Sequence, residues 1–171
     1  MNSPKNILTK SSKKICVDAA EMAEQSEDFL NELIDLSLND IKPYSHRASW
    51  AVLYLSQKYP NTIRPHLRLI ASKLTEIENH TQIGSFLRVF DQVKFDHEEF
   101  GDLLDFCIHI IRMPVEREYL KVIAMSIILR FGKVYPELVP ELIEQIELCQ
   151  KNFEMNHCKR KAVMVLKELK K

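Results

Sequence analysis

Only three glycines occur in the 171 residues. A loop that cradles phosphate needs glycine where the backbone approaches its ligand, and no GxxxxGK[ST], GxSxG or HExxH stretch stands in the chain. An ordinary nucleotide-handling or hydrolytic enzyme therefore finds no support, and no cofactor is expected. Long apolar runs are missing as well. No window holds 18 apolar residues in succession, and the first twenty residues lack the apolar stretch of a secretory signal, so no membrane association is expected. Net charge is absent, with 24 basic and 24 acidic side chains, which removes any bulk attraction to nucleic acid or lipid. The four cysteines show no CxxC spacing, which argues for reduced thiols in a cytoplasmic protein rather than a disulfide framework.

What is present is helical periodicity, punctuated by proline. Residues 47–67 read RASWAVLYLSQKYPNTIRPHL, and the second half of that stretch returns at 128–142 as ILRFGKVYPELVPEL. In each copy an apolar run ends in a basic residue and Tyr-Pro (Tyr59-Pro60, Tyr135-Pro136), then a helix opened by Pro65 or Pro140. The two Tyr-Pro pairs stand 76 residues apart, twice a unit of about 38, the period of a helical repeat array.

The spacing predicts one domain over 1–171. Residues 1–9 read as a ragged start, with Pro4 and no periodicity, and residues 10–25 as a capping helix; together 1–25 form an N-terminal cap. Four helix pairs follow at 26–60, 61–95, 96–135 and 136–171. First helices are expected at 26–38, 62–77, 97–111 and 136–150, each with a single apolar stripe such as Phe29, Leu30, Leu33 and Ile34. Second helices are expected at 45–59, 81–93, 115–132 and 156–170. These are apolar over a wider arc, as a helix packed on two sides requires. In the third, Tyr119, Leu120, Val122, Ile123, Ala124, Ile127 and Ile128 surround most of the axis.

Proline early in the first helix (Pro65-His-Leu67, Pro140-Glu-Leu142) and arginine before small and apolar residues in the second (Arg47 before Ala48 and Ala51, Arg117 before Leu120 and Ala124, Arg160 before Ala162 and Leu166) resemble HEAT-type, armadillo-like repeats. The resemblance spans residues 26–170 and implies an all-α fold: an α-α superhelix, a right-handed solenoid of about four helix pairs behind its capping helix. The aspartate that such repeats pair with that arginine has a counterpart only at Asp40, and Gly84 and Ser85 stand where the second repeat would carry an arginine.

Charge divides between the two kinds of helix. The first helices of pairs one, three and four carry Glu27, Asp28, Glu32 and Asp35; Glu98, Glu99, Asp102 and Asp105; and Glu137, Glu141, Glu144 and Glu147. The second helices lean basic. In a solenoid the second helices line the concave side, where charge of one sign focuses the field on an anionic partner. The alternative is a set of solvated faces and surface ion pairs of little energetic weight.

The leading expectation is a non-enzymatic scaffold that binds an acidic protein segment through Arg47, Tyr54, Arg88, Arg117, Lys121, Arg160 and Lys161. The second is nucleic-acid binding. Trp50 and Asp91 on neighbouring second helices make the chain similar in architecture to the HEAT-like alkylpurine DNA glycosylases, in which a carboxylate would stabilise a cationic sugar. The stronger reading of Trp50 is a packing residue against the N-terminal cap, and of Asp91 a surface charge. Cys149, His157 and Cys158 lack the paired spacing of a metal site, so no metal is expected. Cys158 precedes Lys159, Arg160 and Lys161 at a helix start, a setting that lowers a thiol pKa, but no base or oxyanion site can be placed beside it, so an inert cysteine is expected.

Overall fold

The computed structural model describes residues 3–114 and 118–171. Every regular element among the described residues is helical, and the chain divides into two compact units, Met1–Phe95 and Asp96–Lys171.

The first unit opens with α1 (Pro4–Ile7), whose proline sits where a helix has no use for the N–H. Leu8 follows with none of its surface exposed. The segment read as ragged is thus anchored, because a single buried leucine holds it where periodicity over nine residues gave no signal. Then come α2 (Lys13–Gln25), α3 (Glu27–Leu38) and α4 (Tyr44–Lys58). Ser26 separates α2 from α3 by capping the latter, its hydroxyl accepting from the Phe29 N–H at 3.3 Å while Glu27 and Asp28 complement the helix dipole.

α4 is the centre of this unit. It packs against α2, α3 and α7 (His80–Gln92). Small side chains permit that crowding: Ala48, Ser49, Ala51 and Ser56 are all buried along it. The buried hydroxyls satisfy themselves within the helix, Ser49 donating to the His46 carbonyl at 2.8 Å and Ser56 to Leu53 at 2.7 Å.

Between α4 and α7 the sequence predicts one helix over 62–77. The structure has four short pieces instead: α5 (Pro60–Ile63), a 3-10 turn (Arg64–His66), α6 (Leu67–Lys73) and a second 3-10 turn (Leu74–Glu76). Pro65 supplies no N–H and its ring crowds the preceding turn, so the backbone tightens there to i→i+3 bonding. Apolar spacing alone does not register that loss.

The second unit holds α8 (Gly101–Arg112), α9 (Glu118–Val134), α10 (Val139–Gln150) and α11 (Asn156–Leu169). A 3-10 turn precedes α8 (His97–Glu99) and another precedes α10 (Pro136–Leu138). α9 plays the part of α4, packing against α8, α10 and α11. Leu120, Ala124, Met125, Ile127 and Ile128 have no exposed surface. α9 and α11 run side by side in the same direction. At one end Glu118 meets the backbone of Glu154 and Met155; at the other, Gly132 lies so close to Leu169 that a Cβ on it would come within 2.4 Å of that side chain.

A polar side chain near the start of each of three second helices reaches across to the backbone of another element. Arg47 donates from Nη1 to the Leu8 carbonyl at 2.9 Å. Gln82 donates from Nε2 to the carbonyls of Ser37 and Asn39, at 3.0 and 3.2 Å, where α3 ends. The Glu118 carboxylate accepts from the N–H groups of Glu154 and Met155, at 2.5 and 2.7 Å, where α11 begins. Helix ends leave such groups without partners inside the helix, and these three clasps supply them. The aspartate–arginine pairing expected through Asp40 is not among them. Asp40 faces Lys42 at 3.7 Å, both exposed, and Arg47 is turned to the N-terminal segment.

Glu118 is 1% exposed, so its removal opens a gap and leaves two part-buried backbone donors without their acceptor. Glu118→Ala should therefore lower unfolding stability by about 2–4 kcal/mol, with the transition in urea followed by circular dichroism.

Candidate functional site

A helix that touches neighbours on three sides has one arc left for solvent. On α4 that arc carries Arg47, Trp50 and Tyr54, all half-buried, then exposed Gln57 and Lys58. On α7 it carries exposed Thr81, Arg88, Asp91 and Gln92. In the second unit α9 shows Tyr119, 41% exposed, then Val122, Ser126 and Leu129, half-buried, then exposed Lys133. The spacing 119, 122, 126, 129, 133 is one helical stripe. α11 shows Arg160, Met164 and Lys167, again one stripe, with Met164 44% exposed and Lys161 half-buried beside it; exposed Lys171 follows the helix end.

Two of the sequence-predicted contacts take other roles. Lys121 is 2% exposed, its ammonium 5.0 Å from the centre of the Phe153 ring, and it has no surface to offer a partner. Three residues on from Glu118, it falls on the side of α9 that α11 covers; its long apolar stem suits that burial. Arg47 is committed in another way, since Nη1 holds Leu8 and Nε donates to the Ser11 hydroxyl at 3.2 Å. Next to it His46 lies 3.2 Å from Ser11, and burial first and the Arg47 charge second hold its pKa below the ordinary histidine value. Arg117 lies outside the described residues. Arg88 and Arg160 are exposed, Tyr54 and Lys161 partly so.

Opposite charge sits on the first helices. Glu27, Asp28, Glu32 and Asp35 on α3, Glu98 and Glu99 in the turn before α8 with Asp102 and Asp105 on it, and Glu137, Glu141 and Glu144 around the start of α10 are all exposed. Glu147 is drawn to Lys170 at 2.7 Å. In the first unit the second-helix arc is mixed rather than basic, with Lys58 paired to Glu21 at 2.6 Å and Asp91 beside Arg88 in sequence.

The exposed apolar residues were not picked out from sequence. Tyr119, Val122 and Ile123 read as part of an apolar cylinder, and only the packing separates the covered side from the open one. The 119–122–126–129–133 spacing was available as a signal, and Met164 between Arg160 and Lys167 was a second.

All four thiols are buried. Burial raises the Cys158 pKa to about 11, with the Glu118 charge adding to it, although Lys121 pulls the other way. The cationic residues that follow Cys158 in sequence do not lower it as expected, because Lys159 and Arg160 point to solvent while the sulfur points to the core. Cys16 is raised to about 11 as well, by burial. Among the described residues no three His, Cys, Asp or Glu side chains converge as metal ligands. Trp50 and Asp91 lie on packed neighbours, α4 and α7, with Trp50 half-buried and Asp91 exposed.

A family model described as a HEAT repeat domain matches residues 5–168. No curated protein and no solved structure matches the chain.

With pKa values raised to about 11, Cys16 and Cys158 stay protonated at pH 8, and none of the four sulfurs is open to reagent. Ellman's reagent at pH 8 should therefore titrate almost no thiol in the native protein, and four once urea unfolds it.

Proposed function

The chain belongs to the HEAT repeat domain family, and from that footing we propose that it is a non-enzymatic protein-interaction module whose second helices hold an acidic segment of a partner protein. HEAT repeats serve generally as interaction scaffolds, and no described helix is long and apolar enough to cross a membrane. The acidic character of the partner rests on one observation above the others. The solvent arc of α11 carries Arg160 and Lys167 around Met164, Lys171 follows the helix end, and Glu168 near them is paired to Lys171 at 2.5 Å. The pKa of Glu168 is lowered, first by the Lys171 hydrogen bond and charge, then by Lys133 and Lys167. That places several cations together around a single carboxylate.

Positive charge of this density speeds encounter with an anionic partner and fixes its orientation more than it adds affinity. The apolar groups between the cations give the contact its affinity, since burial of apolar surface is the non-directional part of association. In the first unit Arg88 and Tyr54 stand on an arc of mixed charge, which makes them secondary. An arc with no clustered nucleophile, base and oxyanion donors offers binding rather than chemistry.

Arg160 and Lys167 are exposed and make no ion pair among the described residues, so changing them should leave the fold alone. Arg160→Glu with Lys167→Glu should weaken capture of a fluorescein-labelled acidic peptide by about tenfold or more in anisotropy, with the melting temperature unchanged. Equal capture by the double variant would remove α11 from the binding face. Labelled duplex DNA in the same titration serves as the contrast, because phosphate binding falls steeply as salt rises.

A further inference from the structure

We infer that the first unit carries a second docking site, of opposite preference to α11. The groove between α3 and α6 receives a short partner segment with arginine or lysine beside an apolar residue. Two hollows of about 230 and 360 Å³ make up this groove. They share Leu38, Asn39 and Glu76, so one segment can enter both. One wall is the α3 stripe Asn31, Asp35 and Leu38. The other is the stripe His66, Leu69, Lys73 and Glu76, along α6 and its flanking turns. Ile34, 2% exposed, gives the groove an apolar floor.

The smaller hollow is built to meet positive charge. Asp40, Glu76 and Glu78 line it at the C-terminal end of α3, where the helix dipole is negative. Gln82 lines it too and adds a neutral acceptor. This residue is 2% exposed, its Nε2 is spent on the Ser37 and Asn39 carbonyls, and its Oε1 accepts from no described donor. An oxygen so deeply placed asks for a donor, and the hollow is where one can enter.

The cations already present do not neutralise the groove. Lys73 is held by both oxygens of Glu76 at 2.9 Å, and Lys42 reaches Asp40 at 3.7 Å. Burial holds the His66 pKa below the ordinary histidine value, against the pull of Glu27, so its ring is neutral at pH 7. Glu78 is exposed and its carboxylate makes no ion pair among the described residues, and Asp35 accepts only from Asn39, at 3.1 Å.

The larger hollow specifies the rest of the occupant. Ile34, Leu38 and Leu69 line it, the last 47% exposed. A bare metal ion would leave these side chains uncovered, and among the described residues no three His, Cys, Asp or Glu side chains converge on one ion. A hollow of about 230 Å³ suits a guanidinium, whose planar fork donates to carboxylate and carboxamide oxygens together. An apolar side chain next to it in the segment covers Leu69.

The test uses the isotope-labelled full chain and an octapeptide of glycine and serine that carries one leucine and two arginines. Two control peptides exchange the arginines for glutamate or the leucine for serine. Binding is followed by amide chemical shifts in nuclear magnetic resonance. The arginine peptide should bind about tenfold tighter than the glutamate control and severalfold tighter than the serine control. It should move the signals of residues 38–40 and 76–82, with the side-chain amide of Gln82 among them. Asp40 and Glu78 are exposed, so Asp40→Lys with Glu78→Lys should weaken binding about tenfold or more and leave the melting temperature unchanged. Arg160→Glu with Lys167→Glu, which tests α11, should leave this binding as it is, so the two sites fail or stand separately. Equal binding of the arginine and glutamate peptides, or equal binding by the charge-reversed groove, would overturn the site. Displacement of the peptide by millimolar calcium would make the site one for an inorganic cation and overturn the occupant. The same shifts arising from higher protein concentration alone would give the groove to a second copy of the chain and overturn the occupant as well.

Discussion

Each unit depends on one helix buried on three sides. α4 and α9 can occupy that position because small residues stand among the larger apolar ones on their covered arcs (Ala48, Ser49 and Ala51; Ala124 and Gly132), and because a polar side chain near the helix start ties a neighbouring loop in place. Burying apolar surface is favourable at about 25 cal/mol per Å², but it says nothing about where loops and helix ends go. The clasps settle that. Glu118 accepts two N–H groups at the start of α11, Gln82 donates to two carbonyls at the end of α3, and Arg47 holds the carbonyl of Leu8. Three residue types of different charge do one job, since each meets the polarity of the backbone it faces: donors to carbonyls, a carboxylate to N–H groups.

The same constraint defines the face proposed to bind a partner. A helix covered on three sides has one arc left, and whatever stands on it is presented by a rigid element rather than a loop. That favours a surface ordered before its partner arrives, which lowers the entropy lost on association. It also explains why the open arcs of the two units differ. The arc of α4 is partly taken up by the N-terminal segment, whereas α9 and α11 each keep apolar residues and cations exposed. Opposite charge collects on the first helices, where Glu27, Asp28 and Glu32 face water.

Much of this fold was legible from spacing. The Tyr-Pro recurrence marked the repeat, and the 3.6-residue pattern located α3, α4, α7, α8, α10 and α11 to within a few residues. The broken helix around Pro65 was not legible, because apolar spacing runs through a proline that the hydrogen-bond ladder cannot. Leu8 was missed because one buried side chain has no period. The site was less legible than the fold. Arg160 sits on an exposed arc as its position suggested, but Lys121, one of the same basic set, is buried on Phe153, since the covered and open sides of an all-round apolar helix depend on where the next helix lies. Cys158 failed for the same reason: adjacency in sequence to three cations is not adjacency in space when the thiol faces the core.

That α4 and α9 are the spine of their units, with only one arc open, is tested most directly by native-state amide hydrogen exchange followed by mass spectrometry. Amides that open only in global unfolding exchange last. The account predicts that α4 is the last helix of the first unit to exchange and α9 the last of the second, with α6 and the Arg64–His66 turn far ahead of them. Slowest exchange in α3 or α10, with α4 or α9 opening early, would contradict it, because the arc proposed to bind a partner would then belong to a helix that frays rather than to one that holds its unit together.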